Sequence, residues 1–599
     1  MGVRNLVRSG NTMRLVVVAL AFAVLSSAQE GTRVFIAHCQ QCHDPNSDAH
    51  APLPEAMEKL PWTKIVTSLE TGTMKAIGGS LSQEEKTAVA RYLGQEGSIE
   101  LPVMKGFCES GAEPAATNAA WNGWGVDEKN TRYQPRDAGG LTADDLPNLE
   151  LKWAFGFPNA VTAYGQPTVV GGKVYTGSND GTVYALDSKT GCIYWMHKAK
   201  AMVRSAVVVG PGPRAYFGDL ESNFYAVDAD SGKLIWEKKL DDQAFTRITG
   251  TPKLHEGRLY IPITSQEENA GANPWYSCCT FRGNIQALDA NDGSLIWKTY
   301  TTPQPKPTRK SEEGVQYYGP SGATVWSSPT LDLKRELIYV GTGNGFSDPN
   351  LETADAIVAL EMDTGKIRWT KQTVPDMFNW GCAGRKGGFG NGPENHGRDV
   401  DFGASPILMD VGGGRELLIA AQKTAEVHAF DPNKNGAIVW TKQIGRGGPG
   451  GGIQWGIAAG EGVIFVPLGE AVRREPEKGG GMFAFDPANG EIVWQTPAPR
   501  PECLGRRGCS VAQKAPPTAI PGAVFSPSMD GHIRAYETKT GRIIWDFDAL
   551  RDFETVNGIE AKGGSFNSTG ATVADGMMYV NSGYSSMPGN VLLAFGVKR

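Results

Sequence analysis

The decapeptide "VDADSGKLIW" (227–236) runs from the end of an apolar strand, through a polar turn closed by Gly232, into a second strand closed by Trp236. The phrase recurs as "LDSKTGCIYW" (186–195), "LDANDGSLIW" (288–297), "LEMDTGKIRW" (360–369), "FDPNKNGAIVW" (430–440), "FDPANGEIVW" (485–494) and "YETKTGRIIW" (536–545). Glycine supplies turn dihedrals that other residues resist. The stretches before these turns, such as "GKVYTGS" and "RELIYVGTG", alternate or run apolar, as strands do. Repeats 41 to 72 residues apart are the length of four-stranded units stacked around an axis.

The closing tryptophans count the units. Trp195, Trp236, Trp297, Trp369, Trp440, Trp494 and Trp545 give seven, and "NLELKW" ends in an eighth, Trp153, with no unit before it. The C-terminal "GMMYVNSGY" and "GNVLLAF" supply inner strands with no closing Trp. The two ends complete one another. The expected fold is therefore mainly β: an eight-bladed β-propeller over 148–599, its last strand taken from the start of the domain so that no edge is left open. These tryptophans are expected to pack blade against blade.

With 599 residues the chain exceeds one core. Its 76 glycines and 37 prolines are dispersed, which fits many turns. The formal charge is −6, with no long basic run after the N-terminus, so nucleic acid is not an expected partner. Arg4, Arg8 and Arg14 precede the apolar run "LVVVALAFAVL" (15–25), and "SSA" follows. Residues 1–28 read as a signal peptide cleaved near Ala28, the apolar run being short for a membrane span. An uncleaved anchor is the rival reading. The protein is expected to be periplasmic, with no membrane span. Export permits disulfides; Cys278 and Cys279 are adjacent, Cys503 and Cys509 are close, and Cys108, Cys192 and Cys382 are left over.

Ahead of the repeats, "HCQQCHD" (38–44) holds Cys39, Cys42 and His43 as C-x-x-C-H, the attachment pattern of one covalent c-type haem. Residues 29–105 are expected to form a small all-α c-type cytochrome domain, joined to the propeller by a linker over 106–147. "LPWTKIVTSLETGTM" and "SQEEKTAVARYLGQ" carry apolar residues at helical spacing, and Ser82 with Glu85 makes a capping box. The iron's sixth ligand is assigned to Met74, with Met57 and Met104 as rivals.

An eight-bladed ring with this repeat resembles the pyrroloquinoline quinone (PQQ) dehydrogenases, and the haem domain resembles their quinohaemoprotein members. "WNGWGVDEKNTRYQP", "LKWAFGFP", "CCTFRGNIQALDA", "DFGASPIL" and "GNVLLAF" look like polyvinyl alcohol dehydrogenases. The resemblance implies PQQ and Ca²⁺ as cofactors and assigns site residues. Trp326 matches the platform under the quinone, and Asn344, 18 residues on, matches a metal ligand. Thr249 matches a hydroxyl that bonds the cofactor. Glu267 matches a carboxylate ligand of Ca²⁺, with Glu268 as its competitor. Lys423 matches the cation beside the quinone carbonyls. The family's base falls on Asn379, and an amide cannot serve as one; Asp376 is the nearest carboxylate, and Asn379 is left to contact metal or substrate. The vicinal Cys278-Cys279 is expected to form a ring near the site, and Trp455, in the Gly-rich "GRGGPGGGIQWG" (445–456), to face the cofactor.

The resemblance implies a PQQ-dependent alcohol dehydrogenase that oxidises hydroxyl groups, polymeric ones among them. Its electrons leave through its own haem to a soluble cytochrome or another acceptor. A scaffold or binding propeller with an electron-transfer haem is the alternative, and sugars or aldehydes are rival substrates.

Overall fold

The computed structural model describes residues 30–40, 42–44, 53–58, 60–70, 74–79, 81–96, 104–114, 116–273, 275–311, 314–381, 392–472, 474–584 and 586–598. The expected signal peptide and Cys382 lie outside them. The chain divides into two compact units, 1–100 and 101–599.

The first unit is helical. Trp62–Glu70 and Gln83–Leu93 are its longest helices, joined by the short Lys75–Gly78 and preceded by a π-helical turn, Phe35–Cys39, and the single turn Pro54–Met57. The capping box is formed: the Glu85 N–H donates to Ser82 Oγ at 3.2 Å, and the Ser82 N–H donates to Glu85 Oε2 at 2.9 Å. Two orphan donors of the helix end are thereby satisfied. The apolar faces meet in a cluster that includes Phe35, Cys39, Met57, Ile65, Leu69 and Val89.

The second unit is a propeller of eight four-stranded antiparallel blades, the third with an extra short strand. The ring closes as expected. Leu149–Gly156 pairs antiparallel with Val591–Val597 and completes the blade begun by Thr572–Ala574 and Met577–Ser582. The repeat's Gly and Trp explain one another. Trp195 donates its indole N–H to the Ala229 carbonyl of the next blade at 2.9 Å, and its ring lies on Gly232. A Cβ at Gly232 would come within 2.5 Å of that ring, and the backbone there has φ +70°. Glycine is thus required twice over, for the turn and for the contact. The same ring-on-glycine contact recurs for Trp153 on Gly191, Trp236 on Gly293, Trp297 on Gly365, Trp369 on Gly436, Trp440 on Gly490 and Trp494 on Gly541.

Antiparallel connectivity sorts the connections. The turns between the first and second, and between the third and fourth, strands of each blade are tight and share one face. The blade-to-blade connections and those between second and third strands share the other, and they include the long stretches 373–406, 498–517 and 549–571. This face is where irregular backbone, and therefore site residues, can be built. The stretch 106–147 does not hang free as a linker would: its residues 121–134 run along the innermost strands, bonding to Val169, Leu331, Leu408, Ala459 and Ala519. Those inner edges would otherwise leave N–H and C=O groups unpaired. Cys108–Cys192 pins its start to the first blade, and Cys278–Cys279 and Cys503–Cys509 are also disulfides.

Candidate functional site

A cavity on the axis of the ring is lined by Trp326, Thr249, Arg204, Trp455 and Trp124, with small polar residues between them. Trp326 precedes the innermost strand of the fourth blade, Thr330–Asp332. Its indole lies across Gly403, where a Cβ would sit 1.9 Å from Cη2, so the glycine of "DFGASPIL" makes room for the ring. Trp455 meets Trp326 edge to face at a centroid distance of 4.8 Å and donates its N–H to Asn567 Oδ1 at 2.8 Å. The Arg204 guanidinium lies 4.1 Å from the Trp455 ring centroid, a cation–π contact. Thr249 lies at the cavity wall, its hydroxyl donating to the Trp326 carbonyl at 3.4 Å.

Lys423 follows the strand Glu416–Ala421 and points inward, its ammonium 5.4 Å from the Trp326 ring centroid. It donates to Asp399 Oδ1 at 2.7 Å and Asp401 Oδ2 at 2.9 Å. Burial opposes the ammonium, but these two carboxylates outweigh it and hold the group above the ordinary lysine range. Asp399 is pushed up to about 7 by burial, against the pull of Lys423, with Asp401 adding to the rise. Sequence reasoning named neither aspartate. The signal was available, since Asp401 opens "DFGASPIL" and Asp399 stands two residues before it.

Carboxylates crowd this corner. Burial, then Asp399 and Asp401, raises Glu268 well above the carboxylate range. Burial, then Asp401, Asp376 and Asp399, does the same to Asp355. Asp355 is fully buried with both carboxyl oxygens unfilled, and Asn344, 1 % exposed, has neither end of its amide bonded. The Asn344 backbone N–H donates to Asp401 Oδ1 at 2.8 Å, tying it to the same corner. Buried polar atoms left without partners are costly. Carboxylate and amide oxygens of this kind are the hard donors that a divalent cation such as Ca²⁺ takes.

Glu267, the expected ligand, is used otherwise. Its carboxylate accepts from Tyr276 Oη at 2.7 Å, Thr280 N at 2.8 Å, Thr280 Oγ1 at 3.1 Å and Phe281 N at 2.6 Å. It braces the loop that carries Cys278–Cys279, a pair buried among Ile263, Phe281 and Phe346. Its neighbour Glu268, not Glu267, is the one whose charge interacts with Lys423, Asp399 and Asp401.

Asp376 and Asn379 also part company. Asp376 is 4 % exposed; its Oδ1 accepts from Arg398 N at 2.8 Å, and its Oδ2 is buried without a partner. Burial raises its pKa, and Asp401 adds to the rise. Asn379 is fully buried and engaged at both ends of its amide, donating to the Phe346 carbonyl at 2.9 Å and accepting from Gly381 N at 2.8 Å. It holds the loop, and its amide does not present a free end to a metal or substrate.

In the helical unit, Cys39 and Cys42 are free thiols and His43 is buried. Burial pushes Cys39 up to about 12. Two unbridged cysteines and a buried imidazole fit the covalent attachment of haem. Met74 and Met57 both belong to this unit's apolar cluster. Met104 belongs to the propeller, against the cluster that contains Trp153.

Family models agree with this division. The β-propeller domain of glucose/ethanol/alcohol dehydrogenases matches residues 269–382, the stretch that carries Trp326, Asn344 and Asp376. The outer membrane protein assembly factor BamB model matches 113–277 and 423–576, and the cbb3-type cytochrome c oxidase subunit III model matches 26–93. Polyvinylalcohol dehydrogenase from a Pseudomonas species is 38 % identical, the alignment covering 98 % of this chain and 97 % of that one. The chain belongs to the polyvinyl alcohol dehydrogenase family. The namesake from Sphingopyxis sp. (strain 113P3) is 36 % identical over 96 % of this chain and 94 % of its own. Quinohemoprotein alcohol dehydrogenase from Comamonas testosteroni shares the fold, with a TM-score of 0.59 at 20 % identity over 81 % of this chain and 82 % of that one. As a member of this family the chain is an oxidoreductase of the PQQ-dependent quinohaemoprotein alcohol dehydrogenase type, with a cytochrome c domain of its own. Among the described residues no helix is long and apolar enough to cross a membrane.

Proposed function

We propose that the chain oxidises the secondary hydroxyl groups of polyvinyl alcohol in the periplasm and delivers the electrons, through its haem, to a soluble cytochrome or a comparable acceptor. The observation that carries this reading is the buried Lys423 ammonium 5.4 Å from the ring of Trp326, which lines the cavity, with Asp399 and Asp401 fixing the lysine and Asp401 also accepting from the Asn344 N–H. A propeller that only binds or scaffolds has no use for a buried cation held over an indole.

Bound on Trp326, PQQ supplies an ortho-quinone able to take a hydride equivalent from a carbinol carbon. Thr249 and Arg204 would anchor its oxygens. Lys423, already held by two aspartates, would stabilise negative charge developing on the quinone without having to reorganise. Glu268 rather than Glu267, together with Asn344 and Asp355, would hold Ca²⁺, which supplies Lewis acidity. Asp376 accepts the hydroxyl proton on its unfilled Oδ2. Its raised pKa brings it nearer to the operating pH, where a general base works best. His43 and Met74 would ligate the haem iron, whose chemistry is one-electron transfer.

The test is reconstitution of the purified chain with PQQ, with and without Ca²⁺, followed by a dye-linked assay on polyvinyl alcohol, a small secondary alcohol, a primary alcohol and a sugar. PQQ- and Ca²⁺-dependent turnover favouring the first two is expected. Turnover of none of the four, or turnover independent of PQQ, would overturn the reading.

A further inference from the structure

The stretch Trp121–Gln134 visits the blades in order. The Trp121 backbone exchanges two hydrogen bonds with Val169, at 2.8 and 2.9 Å, on the first blade's innermost strand. The Asn122 side chain donates to Val209 O at 2.7 Å and accepts from Val209 N at 2.8 Å, on the second. Lys253 of the third donates to Asp127 O at 2.6 Å. Leu331, Leu408 and Ala459, on the next three, donate their N–H groups to the carbonyls of Glu128, Lys129 and Thr131. Ala519 donates to Arg132 O and accepts from Gln134 N, both at 2.9 Å, and Gln134 Nε2 donates to Val573 O at 2.7 Å on the eighth. The segment therefore circles the inside of the ring once. It lies along the innermost strands, whereas the cavity is lined by residues such as Trp326–Ser328, Gly403 and Ser405 that precede those strands on the side of the long connections.

Two side chains of this segment reach beyond scaffolding. Trp124 lines the cavity alongside Trp326. Arg132 is fully buried and its guanidinium meets no carboxylate among the described residues: it donates to Trp124 O at 2.5 Å, Pro517 O at 2.7 Å, Thr518 Oγ1 at 2.9 Å and Ala571 O at 3.3 Å. It also lies 5.0 Å from the Trp124 ring centroid and 5.2 Å from that of Trp121. A buried cation spent on carbonyls and indoles is expensive, and burial pulls this one down to about 9. The segment it locks is the one whose tryptophan faces the site.

We propose that Trp121–Gln134 is a plug closing the propeller's central channel beneath the cofactor cavity, that Trp124 is the cavity's inner wall and contacts the cofactor side, and that Arg132 is a positioning residue acting through Trp124. The inference rests on the assignment of the Trp326 cavity to PQQ. Closing the channel leaves the face of long connections as the route for cofactor and substrate, and it keeps water from reaching the site from below.

The experiment uses the full, haem-loaded chain and measures PQQ affinity by titration, together with dye-linked turnover at saturating PQQ. Trp124→Ala should raise the PQQ Kd about 10- to 100-fold, the consequence of losing an aromatic wall. Arg132→Lys, which keeps the charge but loses the planar fork, should raise it in the same direction. The double variant should bind no more weakly than Trp124→Ala alone, because the arginine acts through the tryptophan. Wild-type affinity in Trp124→Ala, or additive losses in the double variant, would overturn the proposal. If Trp124→Ala fails to fold, Trp124→Phe serves: a smaller rise supports the wall, and an unchanged Kd refutes it. A wild-type chain that binds no PQQ would instead sink the cofactor assignment, and this inference with it.

Discussion

Replacing Asp376 with Asn isolates the proton acceptor. The substitution is close to isosteric. Oδ1 can go on accepting from Arg398 N at 2.8 Å, and an amide nitrogen takes the place of the unpartnered Oδ2. Neither Trp326 nor Lys423 loses a contact, since Lys423 is held by Asp399 and Asp401. PQQ affinity and thermal stability should therefore be nearly unchanged. What disappears is the ability to take a proton, and a lost general base costs roughly 10²- to 10⁴-fold in kcat. Stopped-flow or steady-state dye reduction, on enzyme shown by its absorbance to be fully PQQ-loaded, measures this. The pH profile gives a second check. A base works deprotonated, and burial raises this one, so wild-type kcat/KM should fall with decreasing pH through a value above the usual carboxylate figure of about 3.9. That limb should vanish in Asp376→Asn. Turnover within about threefold of wild type, in a fully loaded variant, would be far below the loss expected of a base and would refute the assignment. The proton would then belong to Asp355, Asp399 or Asp401.

Glu268→Gln should weaken Ca²⁺ and PQQ retention together. Glu267→Gln should instead lower thermal stability, by leaving the donors of Tyr276, Thr280 and Phe281 poorly matched; equal metal loss in both variants would contradict the distinction. Cys39→Ala with Cys42→Ala should abolish covalent haem while dye-linked activity survives, because the thiols and the propeller site lie in different compact units; loss of that activity in a folded variant would argue otherwise. Met74→Ala should change the spectrum and lower the potential of the reduced haem, whereas an unchanged spectrum would pass the axial position to Met57. His428 is buried and pulled down to about 4 by desolvation. Unfolded histidine titrates near 6.5, so the unfolded chain binds the extra proton first. Stability held at neutral pH should then be lost as pH falls from about 6.5 to 4, by about 3 kcal/mol. Denaturant titration of His428→Gln against wild type should show that gap close with acidity; a pH-independent gap would refute the cause.

The sequence alone determined the ring. Its repeat names a strand, a Gly turn and a Trp strand, and each is dictated locally: by alternation, by a positive φ, and by an indole that needs a flat partner in the next blade. Even the closure of the eighth blade was legible, because an unmatched Trp153 at one end and one missing strand at the other admit a single completion. The sequence also named Trp326, Asn344 and Lys423, the first two flanking one strand pair and the third following a strand of the next blade; their roles belong to the proposed function. What the tertiary structure decided is everything that depends on which side chains meet across blades. Glu267 and Glu268 are indistinguishable as letters; only the fold shows that four donors of a neighbouring loop saturate one while the other shares its electrostatic surroundings with Lys423, Asp399 and Asp401. Asn379 and Asp376 differ likewise, one amide consumed by its own loop and one carboxylate left with an unfilled oxygen. Residues 121–134 read as linker because no periodicity marks them. Their structure comes from eight inner strand edges, far apart in sequence, seven of which offer backbone groups to pair and the third the Lys253 side chain. Hydrogen-bond demand of that kind belongs to the assembled ring and is written in no single stretch of chain.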